Sequence, residues 1–231
     1  PCPKVSQPAT TEETRPFAVS PMNDDVAPFI KIVVLGAKGA GKTALLERLA
    51  GGDFPHEPAA ETTKPLSKLA SIANTHQDNG AAGGPASPSL QVKFVECPSD
   101  KVLDDKNLAS VMAEAFCTLL VYDVTDRSSF DEAMRRWYPI ANGLTPESFK
   151  MVVGCKVDAI SERVVEPTPD TMPDLFFVEA SAKDRTNVDL VKSILFLRAS
   201  HMLEKRNQIL DVHPYEEPGN LDGAFNSMYG D

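Results

Sequence analysis

Strand-like and helix-like segments alternate along most of this 231-residue sequence. That alternation predicts an α/β fold: a mostly parallel six-stranded sheet with helices on both faces. Three observations carry the expectation. Runs such as FIKIVVLG (29–36) and CTLLVYDVT (117–125) have the unbroken, β-branched apolar character of strands buried on both sides. Segments with helical apolar spacing lie between such runs. Two early candidate strands, LSKLASI (66–72) and LQVKFVEC (90–97), follow one another with no helix between them, which predicts one antiparallel edge hairpin.

The elements follow in order. Residues 1–27, rich in Pro, Thr, Ser and acids, read as a flexible arm. After the first strand, GKTALLERLAGG (41–52) predicts a helix with Leu45, Leu46 and Leu49 on one stripe, stopped by Gly51-Gly52. DFPHEPAAETTKP (53–65) is a polar loop, and the low-complexity insertion 74–89 reads as a mobile hairpin tip. LASVMAEAF (108–116) predicts a helix. SSFDEAMRRWYPIANGL (128–144) predicts another, with Phe130, Met134, Trp137 and Ile140 on related faces. FKMVVGCKVD (149–158) and LFFVEASAK (175–183) begin as strands and end polar, and 187–206 is a long amphipathic helix. Residues 28–206 thus form one domain, followed by a Pro-, Gly- and acid-rich tail over 207–231.

Composition narrows the function. Hydrophobic residues make up 42%, enough for a real core, and the net charge of −10 argues against a nucleic-acid surface or a polybasic membrane anchor. No apolar run approaches the length of a membrane span. Cys2, Cys97, Cys117 and Cys155 match no metal spacing, and Cys117 and Cys155, in strand-like apolar runs, read as reduced core thiols. No cysteine follows Cys155, so no prenylation box is expected in this sequence. The start at Pro1-Cys2-Pro3 without Met points to a processed form or fragment. The expected compartment is the cytoplasm, with an organelle matrix as the alternative.

Ligands of open α/β sheets bind outside the carboxyl ends of the strands, so the chemistry is expected there. Gly36-Ala37-Lys38-Gly39-Ala40-Gly41-Lys42-Thr43 matches G-x-x-x-x-G-K-[ST] between a strand and a helix. Glycines let backbone N–H groups turn inward around phosphate oxygens, and the helix N-terminus adds partial positive charge. Lys42 is positioned for the β- and γ-phosphates and the Thr43 hydroxyl for Mg²⁺. This identifies a P-loop NTPase fold and a nucleotide phosphate site, and leaves the base open.

Two further stretches bear on the base: Cys155-Lys156-Val157-Asp158 and Ser181-Ala182-Lys183. With these, and with LLVYDVTDRSSFDEAMRRW (119–137), the chain resembles a Ras-superfamily small GTPase of the Rab-like group over roughly residues 28–205. The resemblance implies GTP or GDP with Mg²⁺ as cofactors. It implies that Asp158 pairs with guanine, that the Lys156 stem lies on the base face, and that Ala182 N–H meets the guanine carbonyl within the Ser181-Ala182-Lys183 motif. Phe54, eleven residues after Thr43, stands where the family often has an aromatic ring against the base; a packing role is the alternative. For the switch I hydroxyl to Mg²⁺ the candidates are Thr62 and Thr63, with neither as the remaining alternative.

The chain departs from the family pattern at four places. The third strand ends Glu96-Cys97-Pro98-Ser99 where the family has D-x-x-G. Glu96 retains a carboxylate for the magnesium shell, while Ser99 replaces the Gly whose N–H meets the γ-phosphate, and Pro98 restricts the backbone before it. Asp100 takes the place of the catalytic glutamine, so Lys42 and Asp100 are the candidates for catalytic roles. Lys38 fills a loop position that is small in relatives, as an exposed lysine, a barrier to an arginine finger or a γ-phosphate contact. Cys155 replaces the Asn of N-K-x-D. The helix that the family inserts between Asp158 and Ser181 is expected to be short or missing, given the prolines of AISERVVEPTPDTMP.

The expectation is a Rab-like guanine-nucleotide-binding protein with a degenerate switch II, hydrolysing GTP slowly or not at all. The alternative is a pseudo-GTPase that acts as a structural or adaptor subunit. Both readings imply protein partners, no nucleic acid and no direct membrane anchor in this chain.

Overall fold

The computed structural model describes residues 29–55, 64–73, 89–99, 105–166 and 175–212. Contacts divide the chain into two compact units between Phe196 and Leu197. In the first, six strands form one sheet: β1 (Ile30–Gly36), β2 (Leu66–Ala73), β3 (Ser89–Glu96), β4 (Cys117–Asp123), β5 (Phe149–Cys155) and β6 (Phe176–Glu179). Their order is β2-β3-β1-β4-β5-β6. Every pairing is parallel except β2 with β3, which is antiparallel, so the expected edge hairpin is present with Leu66 opposite Glu96. The central strands are apolar without alternation, and all seven residues of β4 are buried. That pattern requires cover on both faces.

One cover is α1 (Lys42–Leu49), which packs on β1 and β3 and buries Leu45, Leu46 and Leu49. Each such leucine contributes about 1.5–3 kcal/mol of apolar transfer. The other face carries α2 (Asp105–Met112), α3 (Arg127–Glu132), a π-helical turn over Ala133–Trp137, and α4 (Tyr138–Leu144). Their Leu108, Met112, Met134 and Trp137 pack with Val33, Leu35, Leu120 and Tyr122 in one cluster. Asp126 caps α3, its carboxylate accepting from Ser128 N–H. The last helix, α5, runs Val188–Val212.

Several sequence boundaries move. The predicted helix 128–144 contains a π-helical turn at its centre. The strand expected over 175–183 stops at Glu179, because Ala180–Lys183 turn away to present the base-side motif. The helical segment expected at 108–116 ends at Met112. Glu114 adopts φ 60 just beyond it. Ser89, placed in the low-complexity insertion, is the first residue of β3; residues 74–88 lie outside the described residues, as do 1–28 and 213–231. Between Asp158 and Ser181 the described residues hold one 3-10 segment (Val157–Glu162), kinked at Ala159, and no α-helix. Among the described residues no helix is long and apolar enough to cross a membrane.

Gly36 closes β1 with φ 152, and a Cβ there would stand 2.1 Å from the Val121 carbonyl oxygen of β4. Backbone cannot yield by that much without separating two central strands. Gly36→Ala is therefore expected to destabilise the fold by about 3 kcal/mol, lowering Tm by about 6–12 °C in a thermal unfolding scan.

Candidate functional site

The loop after β1 turns through two glycines in left-handed conformations, Gly39 at φ 79 and Gly41 at φ 97. Gly41 is the N-cap of α1 and supplies no side-chain cap, so the first-turn N–H groups of α1 stay directed at the loop's concavity. Ala37 and Ala40 are buried beneath it and Lys38 lies on its exposed rim. Lys42 points back into the loop and is almost wholly buried. Its Nζ donates to Gly36 O at 3.1 Å, Ala37 O at 2.8 Å and Ser99 Oγ at 2.5 Å. A cation is thus held where phosphate oxygens would lie.

Thr43 follows on the first turn of α1, and its hydroxyl donates to Glu96 Oε1 at 2.8 Å. The other carboxylate oxygen, Glu96 Oε2, is buried with no hydrogen-bond partner among the described residues. Burial pushes the Glu96 carboxyl above its ordinary range, opposed by the Thr43 hydrogen bond and the Lys42 charge. An orphaned carboxylate oxygen beside a hydroxyl is a hard oxygen donor set of the kind Mg²⁺ takes when phosphates and water complete its shell. Thr43 and Glu96 therefore fit Mg²⁺. No group of three or more His, Cys, Asp or Glu side chains among the described residues forms a metal cage of its own. Thr62, Thr63 and Asp100 lie outside the described residues.

The base side forms where β5 and β6 end. Ser181 is fully buried and organises the turn: its hydroxyl donates to Asp158 Oδ1 at 2.7 Å and accepts from Lys183 N at 3.2 Å and Asp184 N at 3.3 Å. Lys183 Nζ stands 3.6 Å from Asp158 Oδ2. The structure thus brings together Asp158, Ser181 and Lys183, with Ala182 between the last two. Lys156 adopts a left-handed φ of 67, and its Nζ pairs with Asp123 Oδ2 at 2.6 Å. Phe54 is half-buried near the end of the first described segment.

Cys155 joins the two halves. Its Cβ and Sγ lie 3.2 and 3.6 Å from where a Cβ on Gly41 would stand, so the thiol packs against the phosphate loop. The contact across this gap is by shape. Burial pushes the Cys155 thiol up to about 12, and does the same for Cys97 after β3. Cys117 is shifted upward for the same reason.

Two residues that sequence reasoning missed hold the site in place. Asp123, at the end of β4, accepts from Thr125 N at 2.8 Å and Thr125 Oγ1 at 2.7 Å on one oxygen while the other meets Lys156. Its one sequence signal is an acid ending the apolar run CTLLVYD. Arg48 reaches from α1 to the base-side turn, donating from Nε to Ala182 O at 2.7 Å and from Nη2 to Lys183 O at 3.3 Å. Nothing in the α1 pattern marks it, since the contact spans 134 residues.

Comparison with known proteins agrees with this arrangement. The sequence model of the Ras family matches residues 106–199. The chain is similar to the Ypt/Rab-type GTPase YPT7 of Saccharomyces cerevisiae, 29% identical over 220 residues that cover 86% of this chain and 95% of that protein. It is 25% identical to human Ras-related protein Rab-12 over 205 residues, 81% of this chain and 77% of that one. A shorter match, 32% over 129 residues, links it to the human Rho-related GTP-binding protein RhoD, with 56% and 55% covered.

The raised thiols make a pH prediction. Cys97 and Cys155 stay protonated in the folded state to about 12 but ionise near 9 once unfolded. Between those values the folded state binds more protons, so stability falls as pH rises above about 9. In a Cys2→Ser variant at pH 8, Ellman's reagent is expected to find no reactive thiol until denaturant is added, and chemical denaturation midpoints are expected to drop from pH 9 to pH 11.

Proposed function

Taking as its premise that this chain is a Rab-like member of the Ras superfamily, we propose that it binds GTP or GDP with Mg²⁺ and hydrolyses GTP slowly or not at all. The observation that carries the proposal is the presence of two half-sites at the same, carboxyl, end of one parallel set of strands. Lys42, Thr43 and Glu96 converge at the phosphate loop, and Asp158 is oriented by Ser181 at the base loop.

Each residue has a physical role. Lys42, held by backbone carbonyls, offers a preset cation to the phosphates, with Gly39, Ala40 and Gly41 shaping the loop around them. Lys38, on the exposed rim, is a candidate contact to the outermost phosphate. Thr43 and Glu96 hold Mg²⁺, which when bound neutralises charge between the phosphates. Asp158 accepts from the N1–H and 2-amino donors of guanine, a donor pair adenine lacks. Ser181 fixes that carboxylate's orientation, while Lys183 Nζ adds a cation beside it. Ala182 offers its backbone N–H to the guanine carbonyl. Lys156 spends its ammonium on Asp123 and leaves its methylene stem for a base face. Phe54 is a candidate for the opposite edge of that base.

Slow hydrolysis follows from the segment after β3. Water positioning in relatives of this kind rests on a glutamine, and here the sequence has Asp100, a shorter and negatively charged group. In-line attack would then lean on Lys42 and the metal alone, with any arginine supplied by a partner. A second reading, an adaptor whose nucleotide is a constant part of the core, is favoured by one observation: the donors of Lys42 are already engaged by protein acceptors. The two readings separate on partner binding. A switch requires a partner whose affinity differs between GDP and a non-hydrolysable GTP analogue.

The direct test is to denature the purified protein, identify the released nucleotide by chromatography, and follow its turnover. Guanine nucleotide is expected, with single-turnover hydrolysis below about 10⁻⁴ per second; adenine nucleotide or an empty site defeats the proposal. Asp158→Ala removes two charge-assisted acceptors and is expected to weaken fluorescent GDP binding at least about 100-fold.

A further inference from the structure

Ser99 lies three residues past Glu96, and two contacts fix it. Its hydroxyl oxygen accepts from Lys42 Nζ at 2.5 Å. Its carbonyl accepts from Arg136 Nη1 at 3.5 Å. Arg136 is itself held: Nη1 donates to Glu132 Oε1 at 2.9 Å, and the guanidinium stacks 4.3 Å from the Trp137 ring centre. These anchors lie on the π-helical turn and the end of α3. π-Helical turns inside helices recur at functional sites.

An ammonium group has three donors. Gly36 O and Ala37 O are acceptors from the phosphate loop itself, whereas Ser99 Oγ comes from across the site, beyond the strand that carries Glu96. A nucleoside diphosphate asks one donor of Lys42, and the longest contact, Gly36 O at 3.1 Å, is the least costly to give up. A triphosphate asks for a second donor. That demand falls on the Glu96 side, where Thr43 and Glu96 would hold Mg²⁺, and there the Ser99 hydroxyl already accepts. The terminal phosphate must displace it, so its gain from Lys42 is only the difference between two hydrogen bonds.

We infer that Ser99 is a specificity-determining residue, whose hydroxyl holds the Lys42 donor that a terminal phosphate requires and so biases the site toward a nucleoside diphosphate over the triphosphate. This rests on the nucleotide-binding proposal above and deepens it. A glycine at this position would leave the Lys42 donor to the phosphate and would offer no competing oxygen.

The test is a titration of nucleotide-free protein with fluorescent GDP and with a fluorescent non-hydrolysable GTP analogue, in Mg²⁺, for the wild type, Ser99→Ala and Ser99→Thr. The wild type is expected to bind the diphosphate more tightly. Ser99→Ala is expected to shift the affinity ratio about tenfold toward the triphosphate, while Ser99→Thr, which keeps the hydroxyl, stays near the wild type. An unchanged ratio in Ser99→Ala, a shift toward the diphosphate, or an equal shift in Ser99→Thr overturns the inference while nucleotide binding stands. A folded wild type that binds neither nucleotide overturns the nucleotide-binding proposal and this inference with it. Should Ser99→Ala fail to fold by thermal scan, Arg136→Gln, which releases the Ser99 carbonyl, carries the same comparison and the same expected direction.

Discussion

A buried ammonium group has to be matched by acceptors, because an unpaired charge in the interior costs several kcal/mol. Lys42 is such a group, and the phosphate loop is built around that requirement. Gly36 lets β1 end within van der Waals reach of β4, which places its carbonyl, and that of Ala37, on the ammonium. The glycines at 39 and 41 then carry the chain over the charge and into α1. From this one interaction follow the position of Thr43 on the first turn, its hydrogen bond to Glu96, and the approach of the segment after β3 through Ser99. The cation is fixed by protein acceptors alone, so the geometry of the loop is set by the chain itself.

The base-side loops are held by a second set of charges that converge from distant parts of the chain. Asp123 ties the left-handed Lys156 to the end of β4. Ser181 aims Asp158, and Arg48 ties the turn that contains Ala182 and Lys183 back to α1, the helix that carries Lys42 and Thr43. Phosphate loop and base loop are therefore connected through α1 as well as through the packing of Cys155 on Gly41. That second link bears on the departure at Cys155. A thiol cannot supply the hydrogen bonds of an asparagine amide, yet the base-side turn is still tied to α1 by two donors of one arginine, Arg48 Nε and Nη2.

Much of the architecture was legible because strand burial writes itself into composition. The unbroken apolar runs at β1, β4 and β5 require helices on both faces, and the sequence between the β2 and β3 runs carries no helical pattern, which predicts the antiparallel pairing that β2 and β3 make. The strand–loop–helix unit was legible for a related reason: its glycines, Lys42 and Thr43 follow one another by local spacing. Boundaries were less so. The base-side turn ended β6 four residues early because the fully buried Ser181 bonds to backbone N–H groups that a strand would otherwise have directed to a neighbour. The π-helical turn at Ala133–Trp137 lies in an ordinary helical pattern, where Trp137 Nε1 and Arg136 both reach Glu132.

What the sequence determined by itself is a set of local motifs: a G-x-x-x-x-G-K-[ST] loop between strand and helix, and an acid and a Ser-Ala-Lys turn after the last strands, each specified by residues near one another in the chain. Tertiary structure decided how those pieces act together. Glu96 meets Thr43 across 53 residues, Ser99 meets Lys42 across 57, and Arg48 meets Ala182 across 134. Partners that distant leave no periodicity or spacing to read. They are brought together only when the parallel sheet sets its strand ends side by side, and the acceptor that Lys42 finds there is a serine hydroxyl whose role no local pattern announces.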